Sequence, residues 1–205
     1  IDRILEWTSS RTRLVFISQI TSPTAVQMPV AALCKEARSR GIMTLIDGAH
    51  GPGQLPLDLT DLGADFYTGN CHKWLLAPKG AGFLHVLKEH QEGIKPLVVS
   101  WGWGKNCPYQ SDSKMLGLLE YWGTKDPAAY LSVPRAIDFQ VENQGDVVRK
   151  RSQKLLMNTL SEIQKLTGMP SIYGKSGQNG YAQMAAVELP LTWQSAKLQA
   201  WLYDR

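Results

Sequence analysis

Apolar positions fall in short runs between turn residues over the first half of the chain and take a helical rhythm over the second. Leu14-Val15-Phe16-Ile17-Ser18 is continuous enough to be a buried strand, and Ser22-Pro23-Thr24 breaks it into a loop. Pro29 opens a helix predicted over 29–40, and Gly41 stands where such a helix ends. A strand over 43–47 follows, then a Gly-Pro-Gly loop at 51–53 and a short turn of helix near Leu59. A third strand covers 66–69 and a fourth 82–86. Strand, helix and strand at these lengths describe a right-handed parallel α/β unit.

The stretch 96–123 is rich in glycine and tryptophan without periodicity, and reads as a long functional loop. Asp126 caps a helix with Pro127 in its first turn, and Pro134 is expected to kink it. A long amphipathic helix spans about 146–166, with Val148, Leu155, Leu156, Ile163 and Leu166 largely on one side. Gly145 precedes it and Gly168 follows it. Beyond, 181–189 reads as a strand and 192–203 as a helix.

Composition narrows the function classes. With 205 residues, 43% of them hydrophobic, the chain can bury a sizeable core and fits one domain or one and a half. The net charge of +4 is mild, and Arg149-Lys150-Arg151 is its tight basic run, so a nucleic-acid partner is not expected. No apolar run approaches the roughly 20 residues of a membrane span. No leader peptide is visible in a sequence that opens at Ile1. Cys34, Cys71 and Cys107 have neither metal nor disulfide spacing, so no metal site is expected and a reducing cytoplasm is the natural compartment. Cys34 lies on the apolar stripe Val30, Leu33, Cys34, Ala37 and reads as a small core residue.

Two polar residues carry the candidate chemistry. Asp47 ends the second strand in Leu45-Ile46-Asp47-Gly48-Ala49-His50, and Lys73 follows the third in Gly69-Asn70-Cys71-His72-Lys73-Trp74. An acid and a lysine thus stand at the carboxyl ends of two strands, where open α/β sheets bind ligands. A lysine joined to an aldehyde as a Schiff base, with an acid on the pyridinium nitrogen, is what pyridoxal 5'-phosphate requires. Each residue has a plainer reading: Asp-Gly often caps a turn, and a lysine beside Trp74, Leu75 and Leu76 can simply snorkel to solvent. No Gly-x-Gly-x-x-Gly or P-loop follows a strand, which disfavours a nucleotide-binding domain.

These motifs, with Ile17-Ser18-Gln19-Ile20-Thr21-Ser22-Pro23, Tyr121-Trp122-Gly123-Thr124-Lys125-Asp126-Pro127 and Gln183-Met184-Ala185-Ala186, resemble the class V aminotransferase family, within it isopenicillin N epimerase-like proteins. The resemblance implies fold type I of the pyridoxal-phosphate enzymes. Residues 1–144 would be the second half of a cofactor-binding large domain with a mainly parallel sheet flanked by helices. A connecting helix at 145–167 and the start of a small α+β domain at 168–205 would follow. The chain would then be an internal piece of a longer enzyme, lacking an N-terminal phosphate-gripping loop and a C-terminal arginine for the substrate carboxylate. A piece of that kind could also be a non-catalytic remnant.

The resemblance also implies roles. Lys73 is the Schiff-base lysine, free to move the α-proton once substrate displaces it, and Asp47 holds the pyridinium nitrogen. His72 and Asn70 help hold the cofactor phosphate, with Asn70 standing where the family usually carries a hydroxyl. His50 lies near the ring oxygen. Gln19 occupies a position usually held by Asn or His beside the ring, a departure that leaves the reaction open. Thr124 reaches across a homodimer interface to the neighbouring phosphate, so active sites would be shared. The substrate would be a small amino acid or peptide-like amino acid, with epimerisation, α,β-elimination of a cysteine-type substrate (desulfhydrase or desulfurase chemistry) and transamination all sharing their first steps. Cys71 and Cys107 read as non-catalytic, the latter too soon after Lys73 for a desulfurase nucleophile.

Overall fold

The computed structural model describes residues 1–104, 111–121, 123–173 and 180–205; Cys107 and Trp122 lie outside the described residues. Helix α1 (Asp2–Leu5) leads to β1 (Leu14–Ser18), α2 (Val30–Ser39), β2 (Met43–Gly48), α3 (Leu59–Leu62), β3 (Phe66–Asn70) and β4 (Gly82–Val86). Then come α4 (Lys88–Gln91), α5 (Lys114–Leu119), α6 (Ala128–Leu131), α7 (Val133–Glu142), α8 (Gly145–Thr167) and α9 (Ser195–Tyr203). The four strands form one sheet in chain order, an α/β arrangement.

β1, β2 and β3 run parallel, while β4 pairs antiparallel with β3. The antiparallel turn follows from the short connection between them, since a parallel crossover needs a dozen or more residues. Successive side chains point to opposite sheet faces. On one face, Ile17, Ile46, Tyr67 and Phe83 pack with Val30 and Cys34 of α2 and with Ala64, forming the main core. Asp47 and Thr68 are register partners on the other face, which also carries the exposed Phe16 and Leu84. The sheet is pinned at its lower end by Asp65. Its carboxylate accepts from the Thr44 backbone N–H at 2.7 Å, the Thr44 hydroxyl at 3.0 Å and His90 Nε2 at 2.8 Å.

The second half departs from the sequence reading in four places. The loop expected over 96–123 contains α5, capped by the Ser113 hydroxyl on the Leu116 N–H. Asp126 does cap the next helix, accepting from the Ala128 N–H at 2.9 Å. Pro134, however, marks a break into α6 and α7 rather than a kink, because proline fits the first turn of a new helix. The long helix α8 ends at Gly168, left-handed at φ 69°, yet Val148, Leu155 and Leu166 of its apolar stripe are exposed.

Residues 181–189 form no strand among the described residues. Side chains take the place of a ladder partner there. Gln54 Oε1 accepts from the Gln183 N–H at 2.9 Å, and the Tyr173 hydroxyl from the Ala186 N–H at 2.6 Å. Tyr173 in turn donates to the Thr24 carbonyl at 2.8 Å, so this segment is fastened to the sheet-bearing part.

Candidate active site

Asp47 sits at the carboxyl end of β2, held by two donors. The Ala49 N–H bonds Oδ1 at 2.9 Å, and the Ser18 hydroxyl bonds Oδ2 at 3.3 Å. Asp-Gly therefore does make the turn that its plainer reading supposes. The carboxylate nevertheless stays half-buried rather than sealed, and so can accept a further donor.

Lys73 follows β3 in a tight reversal. The Ala77 N–H bonds the Cys71 carbonyl at 2.9 Å, and Cys71, Ala77 and Ala81 pack with Ala136 of α7. Leu76 adopts φ 69° within this turn and faces solvent. The Gly-Pro-Gly loop presses against it: a Cβ on Gly53 would overlap the Trp74 carbonyl carbon. Gln140 of α7 donates to that same carbonyl oxygen at 3.1 Å. The lysine thus stands on a braced loop, although its own backbone is outside regular structure.

His50 joins the two strand ends. Its Nε2 lies 3.2 Å from Lys73 Nζ, and its Nδ1 accepts from the Trp74 indole N–H at 3.3 Å. Burial and the Lys73 charge push the imidazole below its ordinary range, against the opposing pull of Asp47, so His50 is neutral near pH 7. Gln54, fully buried, donates to the His50 carbonyl at 2.9 Å and fixes the turn from beneath.

Gln19 is buried, and its Oε1 accepts from the Tyr67 hydroxyl at 2.7 Å. That leaves its amide N–H groups to donate elsewhere. The phenol reaches Gln19 because Gly48 and Gly51 lack side chains; a Cβ on Gly48 would run into the Tyr67 ring, and one on Gly51 into its hydroxyl and Gln19 Oε1. Burial and the Asp47 charge push the Tyr67 hydroxyl well above its ordinary value, so it stays a donor.

His72 Nδ1 is a buried atom with no hydrogen-bond partner among the described residues. Asn70 closes β3 opposite Gly82. Thr124 is exposed at the bend after Gly123. Cys71 is buried, which pushes its thiol up, as suits a packing role. Tyr67, Trp74, Ser18 and Gln54 were not singled out as site residues from the sequence. The clue for Tyr67 was the pair of glycines around Ala49-His50, which makes room for its ring.

The class V aminotransferase model matches residues 1–200. The chain belongs to that family. It is 39% identical over 206 residues to isopenicillin N epimerase of Amycolatopsis lactamdurans, covering 95% of this chain and 50% of that protein. It is 34% identical over 129 residues to an L-cysteine desulfhydrase of Arabidopsis thaliana, covering 62% of this chain and 27% of the relative. A cysteine desulfurase from Thermococcus onnurineus NA1 superposes with a TM-score of 0.73 at 20% identity, over 94% of this chain and 48% of that one. The shared fold is type I of the pyridoxal-phosphate enzymes, and pyridoxal 5'-phosphate is the family's cofactor. The chain spans about half the length of the epimerase it matches.

Proposed function

We propose that this chain supplies the lysine-bearing half of a pyridoxal-phosphate site acting at the α-carbon of an amino acid or peptide-like amino acid, in the manner of an isopenicillin N epimerase. The observation that carries the reading is His50 standing against Lys73 at 3.2 Å while its own turn is tied to Asp47 at the end of the adjacent strand. The cofactor's chemical groups match the residues present. Asp47 is a half-buried acceptor suited to a protonated ring nitrogen. The unpartnered Nδ1 of His72 suits a phosphate oxygen, as does the Asn70 amide. When bound, pyridoxal phosphate supplies an electron sink for the substrate α-carbon.

The chain's own residues do the rest. Lys73 Nζ would hold the cofactor through its aldehyde carbon and would be placed to move a proton at the substrate α-carbon. Asp47 keeps the ring nitrogen protonated by proximity of opposite charge. The Gln19 amide, oriented by Tyr67, donates beside the ring. Thr124 acts in a homodimer, where a second copy would bring it to the neighbouring phosphate. A cytoplasmic setting suits the free thiols of Cys34 and Cys71.

A second reading, α,β-elimination from cysteine, is favoured by the likeness to the Arabidopsis thaliana desulfhydrase. The two part in what leaves the substrate. With the full-length holoenzyme in deuterated water, epimerisation puts deuterium at the α-carbon of recovered substrate, whereas elimination releases sulfide and an α-keto acid from cysteine. Exchange without sulfide supports the first reading, and rapid sulfide release the second. Neither signal across a broad amino-acid panel would mark a non-catalytic relative.

A further inference from the structure

We propose that Gln54 is a positioning residue for the lysine pocket: its amide holds the turn that carries His50, and the segment 181–183 sets the orientation of that amide. This role presupposes Lys73 as the cofactor-binding lysine. Gln54 is fully buried, and both ends of its amide are committed. Nε2 donates to the His50 carbonyl at 2.9 Å, and Oε1 accepts from the Gln183 backbone N–H at 2.9 Å. A carbonyl can only accept and a backbone N–H can only donate, so the amide has one orientation. The Gln183 side chain adds a second tie, donating to the Gln54 carbonyl at 3.3 Å.

The grip on the turn matters because of what the turn presents. The Gly51 N–H bonds the Gly48 carbonyl at 2.8 Å, and the Gln54 N–H bonds the Gly51 carbonyl at 3.0 Å. The Gln54 side chain takes the His50 carbonyl between them. The ring of the same histidine stands 3.2 Å from Lys73 Nζ. Carbonyl and ring belong to one residue, so a turn released at the carbonyl also lets the ring leave the lysine.

The far end of the amide is anchored separately. Tyr181 and Ala182 are buried, and Gln153 of α8 donates to the Tyr181 carbonyl at 3.3 Å. The Gln27 N–H bonds the Gly180 carbonyl at 2.9 Å. A segment 129 positions further along the chain thus reaches the lysine pocket through a buried side chain. Residue type is restrictive here. A glutamate would offer the His50 carbonyl no donor when ionised, and an asparagine is one methylene shorter.

The test is the His50 titration, followed by ¹H–¹⁵N spectroscopy of the full-length, cofactor-free protein, with His50 assigned by the signal lost in His50→Gln. In the wild type the imidazole should titrate below its ordinary value, because burial and the Lys73 charge outweigh the pull of Asp47. Gln54→Met keeps the bulk and removes both amide bonds. It should raise the His50 midpoint towards the ordinary value of about 6.5. It should also weaken capture of pyridoxal phosphate at Lys73 by about five- to tenfold, the scale of one lost hydrogen bond. Gln54→Asn, which keeps a buried amide but is too short for both partners, should move both readings the same way, and it decides alone if Gln54→Met does not fold. A purely structural role would lower the unfolding midpoint and leave the His50 titration of the folded variant where the wild type has it. That result, in a protein that does capture the cofactor, would overturn the role of Gln54 and leave the proposed function standing. A wild type that never captures pyridoxal phosphate at Lys73 would sink the proposed function, and this role with it.

Discussion

The Tyr67 hydroxyl crosses the top of β2 to donate to Gln19 Oε1 at 2.7 Å, linking the third strand of the sheet to the residue after the first. Tyr67→Phe removes that donor and leaves the buried Gln19 oxygen unpaired, at a cost of about 1–3 kcal/mol. It also frees the amide to rotate, so cofactor affinity should fall together with the unfolding midpoint. Urea unfolding and a cofactor titration check both parts. Loss of stability with unchanged affinity would mean that Gln19 does not serve the ring.

The same phenol makes Gly48 a tight position. Gly48→Ala puts a methyl group into the Tyr67 ring and should cost about 1–3 kcal/mol, as overpacking does. Combining it with Tyr67→Phe should leave most of that cost, because the overlap involves ring carbons as well as the oxygen. Tyr67→Ala should relieve it. Thermal unfolding of the three variants separates these outcomes.

How much of this was legible in the sequence depends on the range of the interaction. The four strands and the helices at 29–40 and 146–166 were readable, because each rests on local periodicity and on glycine or proline at its ends. The placement of Asp47 near the end of β2 and of Lys73 just after β3 was readable, because each lies where an apolar run gives out. The Tyr67–Gln19, Trp74–His50 and Gln54–Gln183 pairs were not, since each joins polar side chains far apart in the chain, and no local pattern marks a partner. The strand read at 181–189 failed for a related reason: alternation gives extended backbone, but only a neighbouring strand makes a ladder. The helix at Lys114–Leu119 was hidden by Gly117 and the surrounding glycines and tryptophans, which mask a short capped turn.

Asp65 gives a pH signature. Burial alone would raise its carboxyl, but the bonds from His90 and Thr44 and the Arg38 charge outweigh that, so the net displacement is downward. A carboxyl depressed by folding contributes stability that is whole above the unfolded value of about 3.9 and is lost as pH falls through the folded value. Asp65→Asn keeps the shape and loses the charge, and should cost about 1.5–3 kcal/mol near neutral pH. The gap from wild type should hold down to about pH 5 and narrow below about pH 4. Denaturant midpoints measured across that range check it, and a gap that widens on acidification would contradict the assignment.

Asp47→Ala should leave Lys73 able to join the cofactor but lower turnover on the order of a hundredfold or more, the scale of removing one charge-stabilising group from a reacting site. Asp47→Glu should be milder. Steady-state rates, with cofactor occupancy measured on each sample, distinguish a lost ring partner from a lost cofactor.

The central claim is that Lys73 carries the cofactor. Borohydride reduction of the full-length holoenzyme, followed by peptide mass mapping, tests it most directly. One phosphopyridoxyl mark is expected, on Lys73, and none in Lys73→Ala. A mark on any other lysine in the wild type, or a trapped adduct that survives Lys73→Ala at full yield, would contradict it.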